Sequence, residues 1–385
     1  TGSGSTFFGH EPWRTFAPPM KILEHAEEIR RRLLMAIEQA EQTPDPKARQ
    51  FLQTVVIVGA GPSGCEMAGA VSELMRSALK NDFKQLDPSK TRILLVDPGD
   101  RVLRAMPESL SKAALASLTS DGIEFLANSR VQTMQPGEVV VSTPDGDRRL
   151  QAATVIWTAG VRASHLGQQL ADATGCELDR GGRVIVNNDF SLPGHPEIRV
   201  AGDLSSYSHT KDGTPLPGMA APAKQAGSFI GKDLAAIVAG RPRPRFRYTD
   251  FGSMAVLDRA TAVADLRGLK LTGGAGFLLW ALAHLALIPG WENRMSLSIK
   301  WLFALFTQQR AAMLLTGMPS QHIALNAADA HFPMQSGQGP SIAAPDAALK
   351  AAMAYYSHQM TGRPQTQESL DTSDGSTTDS AAAIK

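Results

Sequence analysis

The sequence is poor in cysteine and has no strong excess of charge of either sign. Its two cysteines, Cys65 and Cys176, are far apart and form neither a CxxC pair nor a metal-ligand spacing. This scarcity excludes a disulfide framework and indicates a reducing compartment. The formal net charge of +1 gives no sign of a nucleic-acid partner.

Long apolar runs and targeting signals are also missing. The apolar run Gly276–Ile288 has 13 residues, whereas a membrane-spanning helix needs about 20. The chain begins at Thr1, without methionine and without the basic and apolar regions of a secretory signal, so we expect a fragment or a processed form. No zinc motif, Ser-His-Asp arrangement or P-loop is present, and no metal is predicted. His284 lies within the apolar run and is interpreted as a packed or interfacial residue.

The most informative segment that is present is a glycine-rich turn between a strand pattern and a helix pattern. Val55–Val58 suits a buried strand, and an apolar helical pattern follows the turn. The turn has GxGxxG spacing and consists of Gly59-Ala60-Gly61-Pro62-Ser63-Gly64.

Each glycine of this motif answers a physical requirement of dinucleotide binding. Gly59 allows the tight turn, Gly61 lets a pyrophosphate approach the backbone, and Gly64 lets the helix pack closely on the strand. The helix N-terminus then directs unpaired N–H groups and a positive dipole end at the phosphates, beside Pro62 and Ser63. The motif predicts a dinucleotide site; the alternative is a glycine-rich turn in another α/β protein.

A carboxylate at the end of the second predicted strand supports this interpretation. Asp97 ends the strand Ile93–Asp97, and it comes later than the usual spacing of about 20 residues because Lys80–Lys90 resembles an inserted polar loop. We expect Asp97 to accept hydrogen bonds from the adenosine ribose and to repel a 2′-phosphate, which favours NADH over NADPH. The alternative is a solvated carboxylate at a strand end.

The rest of the chain alternates between strand and helix patterns, which predicts an α/β fold with an open, largely parallel sheet. The other predicted elements are a helix at Met20–Glu41, a helix at Leu110–Leu118, a strand at Gly122–Leu126, a hairpin across 139–150, a strand at Val155–Gly160, short strands at Arg183–Val186 and Ile198–Ala201, a helix from Ala220 and a stiff connector at Arg241–Arg245.

The C-terminal third changes character. The apolar run is followed by the amphipathic segment Trp291–Leu315, and this pair suits helices that lie in a membrane interface. A buried pair of core helices or a dimer interface explains the pattern equally well. Gly362–Lys385 has almost no apolar bulk and is predicted to be disordered.

The order of the motifs resembles that of the type II NADH dehydrogenases, which are single-subunit NADH:quinone oxidoreductases of the two-dinucleotide-binding flavoprotein superfamily. The resemblance covers roughly residues 1–317. It is carried, after the glycine turn, by Trp157–Gly160, Val200–Asp203, Pro217–Gln225, Phe246–Ala255 and Gly290–Arg294.

This resemblance implies nested Rossmann-like FAD and NADH domains with a C-terminal amphipathic helical region that anchors the protein to a membrane. Thr1-Gly2-Ser3 resembles the turn that ends the first half of the FAD domain, so we expect an incomplete FAD domain and weak or no FAD binding by these residues. The implied divisions are 1–50 (remnant of the first FAD half with a connecting helix), 51–160 (NADH domain), 161–245 (second FAD half), 246–317 (membrane-associating domain) and 318–385 (low-complexity tail).

The resemblance also assigns residues to the two cofactors. Asp203 would bind the FAD ribitol and Gly202 would make room for the flavin; the alternative for Asp203 is a turn-capping aspartate. Thr158, Ala159 and Gly160 would contact NADH; the alternative for these three residues is close packing at a strand end. Thr1, Gly2 and Ala220 would contact FAD.

Glu66 and the start of the helix at Ala220 are the implied catalytic and quinone positions. Glu66 is placed on the first helical turn, where the dipole favours a carboxylate; in the family an acid here is proposed to move protons to the quinone. The family's quinone motif, Ala-Gln-x-Ala-x-Gln, reads Ala220-Ala221-Pro222-Ala223-Lys224-Gln225 here. Gln225 is kept and Ala221 replaces the first glutamine, so Ala221, Lys224 and Gln225 are the implied quinone contacts.

The implied activity is hydride transfer from NADH to FAD followed by transfer of two electrons to a membrane quinone. FAD and NADH are the expected cofactors, and the quinone and the membrane surface are the expected partners. The expected location is peripheral, on the cytoplasmic face of a bacterial inner membrane, and homodimer formation stays open. The alternatives are another pyridine-nucleotide flavoprotein, such as a disulfide reductase, or a fragment that binds NADH without catalysis.

Overall fold

The computed structural model describes residues 2–307, except 80 and 81. Thr1 and the segment predicted to be disordered lie outside the described residues. The α-helices of the described part are α1 (Leu23–Gln42), α2 (Pro46–Leu52), α3 (Pro62–Glu73), α4 (Glu108–Ser120), α5 (Leu166–Thr174), α6 (Ala220–Val238), α7 (Gly273–Leu287) and α8 (Trp291–Thr307).

Short strands connect and flank these helices. In chain order they are β1 (Ser3–Ser5), β2 (Thr54–Val58), β3 (Arg92–Val96), β4 (Ile123–Leu126), β5 (Arg130–Gln135), β6 (Glu138–Thr143), β7 (Gly146–Gln151), β8 (Thr154–Trp157), β9 (Val161–Ala163), β10 (Val184–Ile185), β11 (Ser191–Leu192), β12 (His195–Arg199), β13 (Ser205–Ser206), β14 (Ser253–Val256), β15 (Ala262–Leu266) and β16 (Leu269–Leu271).

Within the described residues, a four-stranded parallel sheet in the order β4-β3-β2-β8 forms the central sheet. All five residues of β2 are buried, because both faces of the sheet are covered. Val55 and Ile57 pack in the cluster that includes α1, α3 and α4, whereas Val56 and Val58 pack on the opposite side against β5–β7. The predicted α/β sheet is confirmed.

The connections of this sheet diverge at the carboxyl ends of β2 and β8, a position at which open α/β sheets form a crevice. From β2 the chain crosses through α3 to β3 on one side, while β8 pairs with the other edge of β2. Open α/β sheets bind their ligands at such a point, where the strand order reverses. The glycine turn lies there because it directly follows β2.

The antiparallel sheet β5-β6-β7 contains the predicted hairpin and one strand that was not predicted. In β5 only Val131 and Met134 are buried. They are three residues apart, so the strict alternation that indicates a strand is absent, and a register shift interrupts the pairing between Val131 and Thr133.

The region after β9 has its own aromatic core and a buried acid. Phe190 stacks on Tyr207 with ring centroids 4.4 Å apart. The connector that follows α6 is held by Arg243, which bonds to Asp189 and to the fully buried Asp233, each at 2.6 Å. A buried carboxylate needs such partners, and this pairing fixes the start of the C-terminal region.

The C-terminal region begins with the sheet β14-β15-β16, which packs on α3 and α4. At Gly69 the approach is so close that a Cβ atom would lie 1.5 Å from the carbonyl oxygen of Leu257. The sequence does not predict this sheet, since its strands have three to five residues and no clear alternation.

Helices α7 and α8 present many apolar side chains to solvent. Gly276 is the buried residue of α7, so the interpretation of this helix as a buried core helix is wrong for the described residues. No described helix is long and apolar enough to cross a membrane. The exposed apolar side chains of the two helices are Leu278, Leu282, Leu287, Trp291, Met295, Ile299, Leu302 and Phe303.

Candidate functional site

The glycine turn closes tightly between β2 and α3. Gly59 has φ +106°, in the region that favours glycine, and its N–H donates to the carbonyl of Val96 at 2.8 Å. A Cβ atom on Gly64 would lie 1.7 Å from the carbonyl oxygen of Gly59. The geometry therefore fits the predicted roles of Gly59 and Gly64, which are a sharp turn and close packing.

The middle of the turn is open. Gly61, Pro62 and Ser63 are exposed, and a Cβ atom on Gly61 would meet no atom within 4 Å. The first turn of α3 has no acidic residue and no side chain caps its N-terminus. Its N–H groups are thus available to an anion, and the cradle fits the pyrophosphate of a dinucleotide.

Asp97 links the end of β3 to this cradle. Its Oδ2 accepts the N–H of Ala60 and its Oδ1 accepts the N–H of Gly99, each at 2.7 Å. Both oxygens of this carboxylate are therefore paired within the protein. The alternative interpretation, a freely solvated carboxylate at a strand end, does not fit these contacts. A carboxylate oxygen can accept more than one hydrogen bond, so ribose hydroxyls can still bind.

The segment after β8 forms the other wall of the crevice. The Thr158 hydroxyl donates to the carbonyl oxygens of Val58 and Gly59, which lie at 2.8 and 2.9 Å. A Cβ atom on Gly59 would lie 2.9 Å from the backbone nitrogen of Ala159. Gly160, with φ +79°, ends this wall. The predicted residues 158–160 thus lie directly beside the glycine turn.

Glu66 lies in the second turn of α3, and not in the first turn as the sequence analysis placed it. Helix-end stabilisation is therefore the wrong explanation for this residue. Its Oε1 accepts the N–H of Val256 at 3.4 Å, and burial raises the pKa of the Glu66 carboxyl.

Glu66 also lines an apolar cavity of about 790 Å³. The cavity lies between α3, the turn after β14, α7 and α8. Its apolar lining residues include Ala70, Val256, Leu257, Phe277, Leu278, Trp280, Ala281, Leu297, Ile299, Trp301 and Phe303. A half-buried acid next to such a cavity is suited to proton exchange with an apolar ligand.

Asp203 lies at a second polar cluster near the N-terminus of α6. The Ser3 hydroxyl donates to Asp203 Oδ2 at 2.5 Å, and Lys21 Nζ lies 3.7 Å from the same oxygen. Ser3 belongs to the Thr1-Gly2-Ser3 turn that the resemblance assigns to the FAD domain. Lys21 was not predicted, because no sequence signal connects it to Asp203. These partners belong to other elements, so a turn-capping role does not account for the carboxylate.

The residues around Asp203 have little side-chain bulk. Gly202 and Gly2 have positive φ angles of +72° and +103°. A Cβ atom added to Gly2 would lie 3.9 Å from the Cβ atom of Asp203. Ala220 is exposed at the start of α6, whose first turn has no acidic residue. A half-buried carboxylate beside a free helix N-terminus fits a cofactor that has both hydroxyl and phosphate groups, as FAD does.

The three implied quinone residues, Ala221, Lys224 and Gln225, differ in their exposure to solvent and in their hydrogen bonding. The side-chain amide of Gln225 is paired with the Thr249 backbone through both of its polar atoms: the Thr249 N–H donates to Oε1 and Nε2 donates to the Thr249 carbonyl, each at 2.9 Å. Lys224 is exposed and Ala221 is half-buried. Gln225 is not among the residues that line the cavity beside Glu66.

The two cysteines do not form a redox pair. Cys65 is buried against the carbonyl of Ala60, and burial raises the pKa of its thiol to about 12. Cys176 packs with the separate aromatic core around Phe190. The described residues therefore give no support to the disulfide-reductase alternative.

Comparison with known proteins places the chain in a family. Residues 14–227 match the family model of pyridine nucleotide-disulphide oxidoreductases. The type II NADH:quinone oxidoreductase Ndh of Mycobacterium tuberculosis is 36% identical over 319 residues, which are 82% of this chain and 68% of that protein. NdhA of the same organism is 35% identical and is covered over 67% of its length, with 82% of this chain aligned.

The fold agrees with a solved structure as well. The structure of NDH2 from Plasmodium falciparum in complex with NADH matches with a TM-score of 0.73, over 80% of this chain and 77% of that chain, at 16% identity. At this identity the match supports the fold alone. Together with the two bacterial relatives, the family match shows that this chain belongs to the type II NADH:quinone oxidoreductases.

Proposed function

We propose that this protein oxidises NADH and passes the electrons through FAD to a membrane quinone. The observation that carries the proposal is the open glycine cradle at the crevice between β2 and β8, in a chain of this family. When bound, FAD supplies the electron carrier that takes up a hydride and releases two electrons. The residues of this chain bind, orient and shield the partners.

NADH is proposed to lie across the carboxyl ends of the central sheet. Its pyrophosphate occupies the cradle at Gly61–Ser63, and its adenosine ribose bonds to Asp97, which closes the cradle on the β3 side. The nicotinamide half then extends to the β8 side, where it passes Thr158, Ala159 and Gly160. This direction follows from the order of the strands.

FAD is proposed to bind where Asp203 and the N-terminus of α6 meet. The Asp203 carboxylate would hold a ribitol hydroxyl in place of its Ser3 partner, and Gly2, Gly202 and Ala220 keep the approach free of large side chains. Lys21 keeps a positive charge next to this carboxylate.

The quinone is proposed to enter the apolar cavity beside Glu66. Because burial raises the pKa of Glu66, this carboxyl can hold a proton and release it within the cavity. Contacts from Ala221, Lys224 and Gln225 remain a proposal from the family motif. The double pairing of Gln225 with Thr249 supports a role in holding α6 against the start of the C-terminal region.

The choice between NADH and NADPH gives the first test. Like charges about 4 Å apart repel by about 4 kcal/mol at an effective dielectric near 20, so Asp97→Asn is expected to narrow the ratio of NADH to NADPH affinity by at least about tenfold. Binding of both coenzymes to the purified chain is measured by calorimetry. The matched control is Asp100→Asn, an exposed acid on the same loop. An unchanged ratio in Asp97→Asn would remove Asp97 from the site.

We also propose that α7 and α8 attach the protein to a membrane surface, on the cytoplasmic face of a bacterial inner membrane. Their exposed apolar side chains support this. The domain division given by the family, with residues 246–317 as the membrane-associating part, is part of the same proposal.

Substitutions on the exposed face test membrane attachment better than truncation does, because β14–β16 pack on the NADH domain. Each apolar side chain contributes about 1.5–3 kcal/mol on burial, so Leu278→Glu combined with Leu282→Glu is expected to lower vesicle binding at least about tenfold. Sedimentation with anionic lipid vesicles gives the measurement. Leu269→Glu, exposed on β16, is the control. Full retention on vesicles by the double variant would contradict the proposal.

A further inference from the structure

An exposed aromatic side chain lies beside the strand end at which the nicotinamide half of NADH is proposed to pass. Phe8 is 66% exposed and has a backbone φ of +53°. A residue other than glycine in this left-handed region has a strained backbone. An exposed ring on a strained backbone has no benefit for the core, since the ring buries little apolar surface.

The neighbours of Phe8 explain what holds it in this position. The Thr6 carbonyl accepts the indole N–H of Trp157 at 3.0 Å, and the Thr6 N–H donates to the Gly160 carbonyl at 3.3 Å. Phe7 is fully buried and stacks on Trp157 with ring centroids 4.9 Å apart. With both preceding residues fixed to the end of β8, the Phe8 ring is directed outward.

The ring occupies the space over Gly160. A Cβ atom on Gly160 would lie 2.5 Å from Phe8 Cζ, and the Phe8 ring is tilted against Trp157 with centroids 6.4 Å apart. Directly after Gly160, β9 pairs with β1, so the segment that leads to Phe8 also lies along the residues that follow Gly160. Phe8 therefore borders the same crevice as Thr158 and Ala159.

We propose that Phe8 is a coenzyme-contacting residue that covers the nicotinamide riboside of NADH beside Gly160. The inference rests on the NADH position proposed above and adds a residue to it. A flat apolar ring at the end of a polar cradle gives an aromatic surface to the nicotinamide half, while the phosphates and the adenosine lie out of its reach. Such a ring contact strengthens binding about threefold to tenfold.

The test compares two ligands that share the adenosine end. NADH has the nicotinamide riboside and ADP lacks it, and both are titrated calorimetrically into the full chain. Phe8→Gly removes the ring and suits the positive φ, so the fold is kept. We expect Phe8→Gly to weaken NADH binding about threefold to tenfold and to leave ADP binding unchanged, while Phe8→Tyr binds both like the parent. Phe251→Ala, which removes a ring that is 55% exposed and lies over Arg267, is the matched control.

The outcomes separate this inference from the proposed function. If Phe8→Gly leaves the NADH affinity unchanged, or weakens NADH and ADP equally, the role of Phe8 is wrong while the glycine cradle stands. If Gly61→Ala leaves both NADH and ADP binding unchanged, the proposed coenzyme position itself is wrong. A selective loss of NADH affinity in Phe8→Gly supports the inference.

Discussion

Gly61→Ala is expected to weaken NADH binding on the order of 100-fold and to leave the fold intact. A Cβ atom at this position meets no protein atom within 4 Å, and the backbone angles of φ −71° and ψ −175° suit alanine. The added methyl group therefore stands in the open cradle, where it displaces the pyrophosphate from the N–H groups of α3. A displacement of about 1 Å can cost about 100-fold.

Two further glycines are controls for this result. Gly231→Ala, exposed on α6 with no atom near its Cβ, is expected to bind NADH normally and to be slightly more stable. Gly64→Ala places a methyl group 1.7 Å from the Gly59 carbonyl oxygen, so it should lower both stability and binding. Calorimetric NADH titration and thermal unfolding distinguish the three. Normal NADH binding by Gly61→Ala would contradict the placement of the pyrophosphate.

Glu66→Gln is expected to lower the rate of quinone reduction on the order of 100-fold, which is typical for the loss of a proton-transferring side chain. The amide oxygen can still accept the N–H of Val256, so the helix and strand stay together. The measurement is the steady-state NADH:quinone rate in lipid vesicles with FAD supplied.

Ferricyanide is the control acceptor for this variant, because it takes electrons without taking protons. Its rate with NADH should be the same in Glu66→Gln and in the parent protein. An equal loss with both acceptors would instead place Glu66 in NADH or FAD binding, and no loss with quinone would contradict the proton role.

The stability of the same variant depends on pH in a defined direction. Since burial raises the pKa of Glu66, the folded state holds more protons than the unfolded state between the ordinary and the raised pKa. The stabilisation from the protonated carboxyl is complete below the ordinary pKa and is lost as the pH rises through the raised value. Glu66→Gln should therefore gain thermal stability relative to the parent as the pH rises through this window.

Local patterns predicted the parts of the fold that depend on local chemistry. The glycine turn, the strand before it and the acid at the end of β3 follow from requirements within a few residues. The helices α1 and α4 were likewise placed to within a few residues, because their apolar periodicity extends over several turns. For α6 only the start, at Ala220, was predicted, and it is confirmed.

Contacts between distant segments could not be predicted in this way. Ser3 meets Asp203 across 200 positions, and Glu66 meets Val256 across 190. The pairing of β1 with β9 joins three-residue strands that have no periodicity to detect. The role of Gln225 was inferred from a motif, whereas its pairing with Thr249 depends on how the C-terminal region returns to α6.

The central claim is that one protein joins NADH oxidation to quinone reduction, and paired half-reactions without oxygen test it most directly. The protein is supplied with lipid vesicles and with FAD at a concentration that saturates even a weak site, and the visible absorbance of the protein-bound flavin is followed. NADH should bleach it, and a quinone added afterwards should restore it fully. Bleaching by NADH that a quinone fails to reverse would contradict the quinone site, and a flavin that NADH does not bleach would contradict the account as a whole.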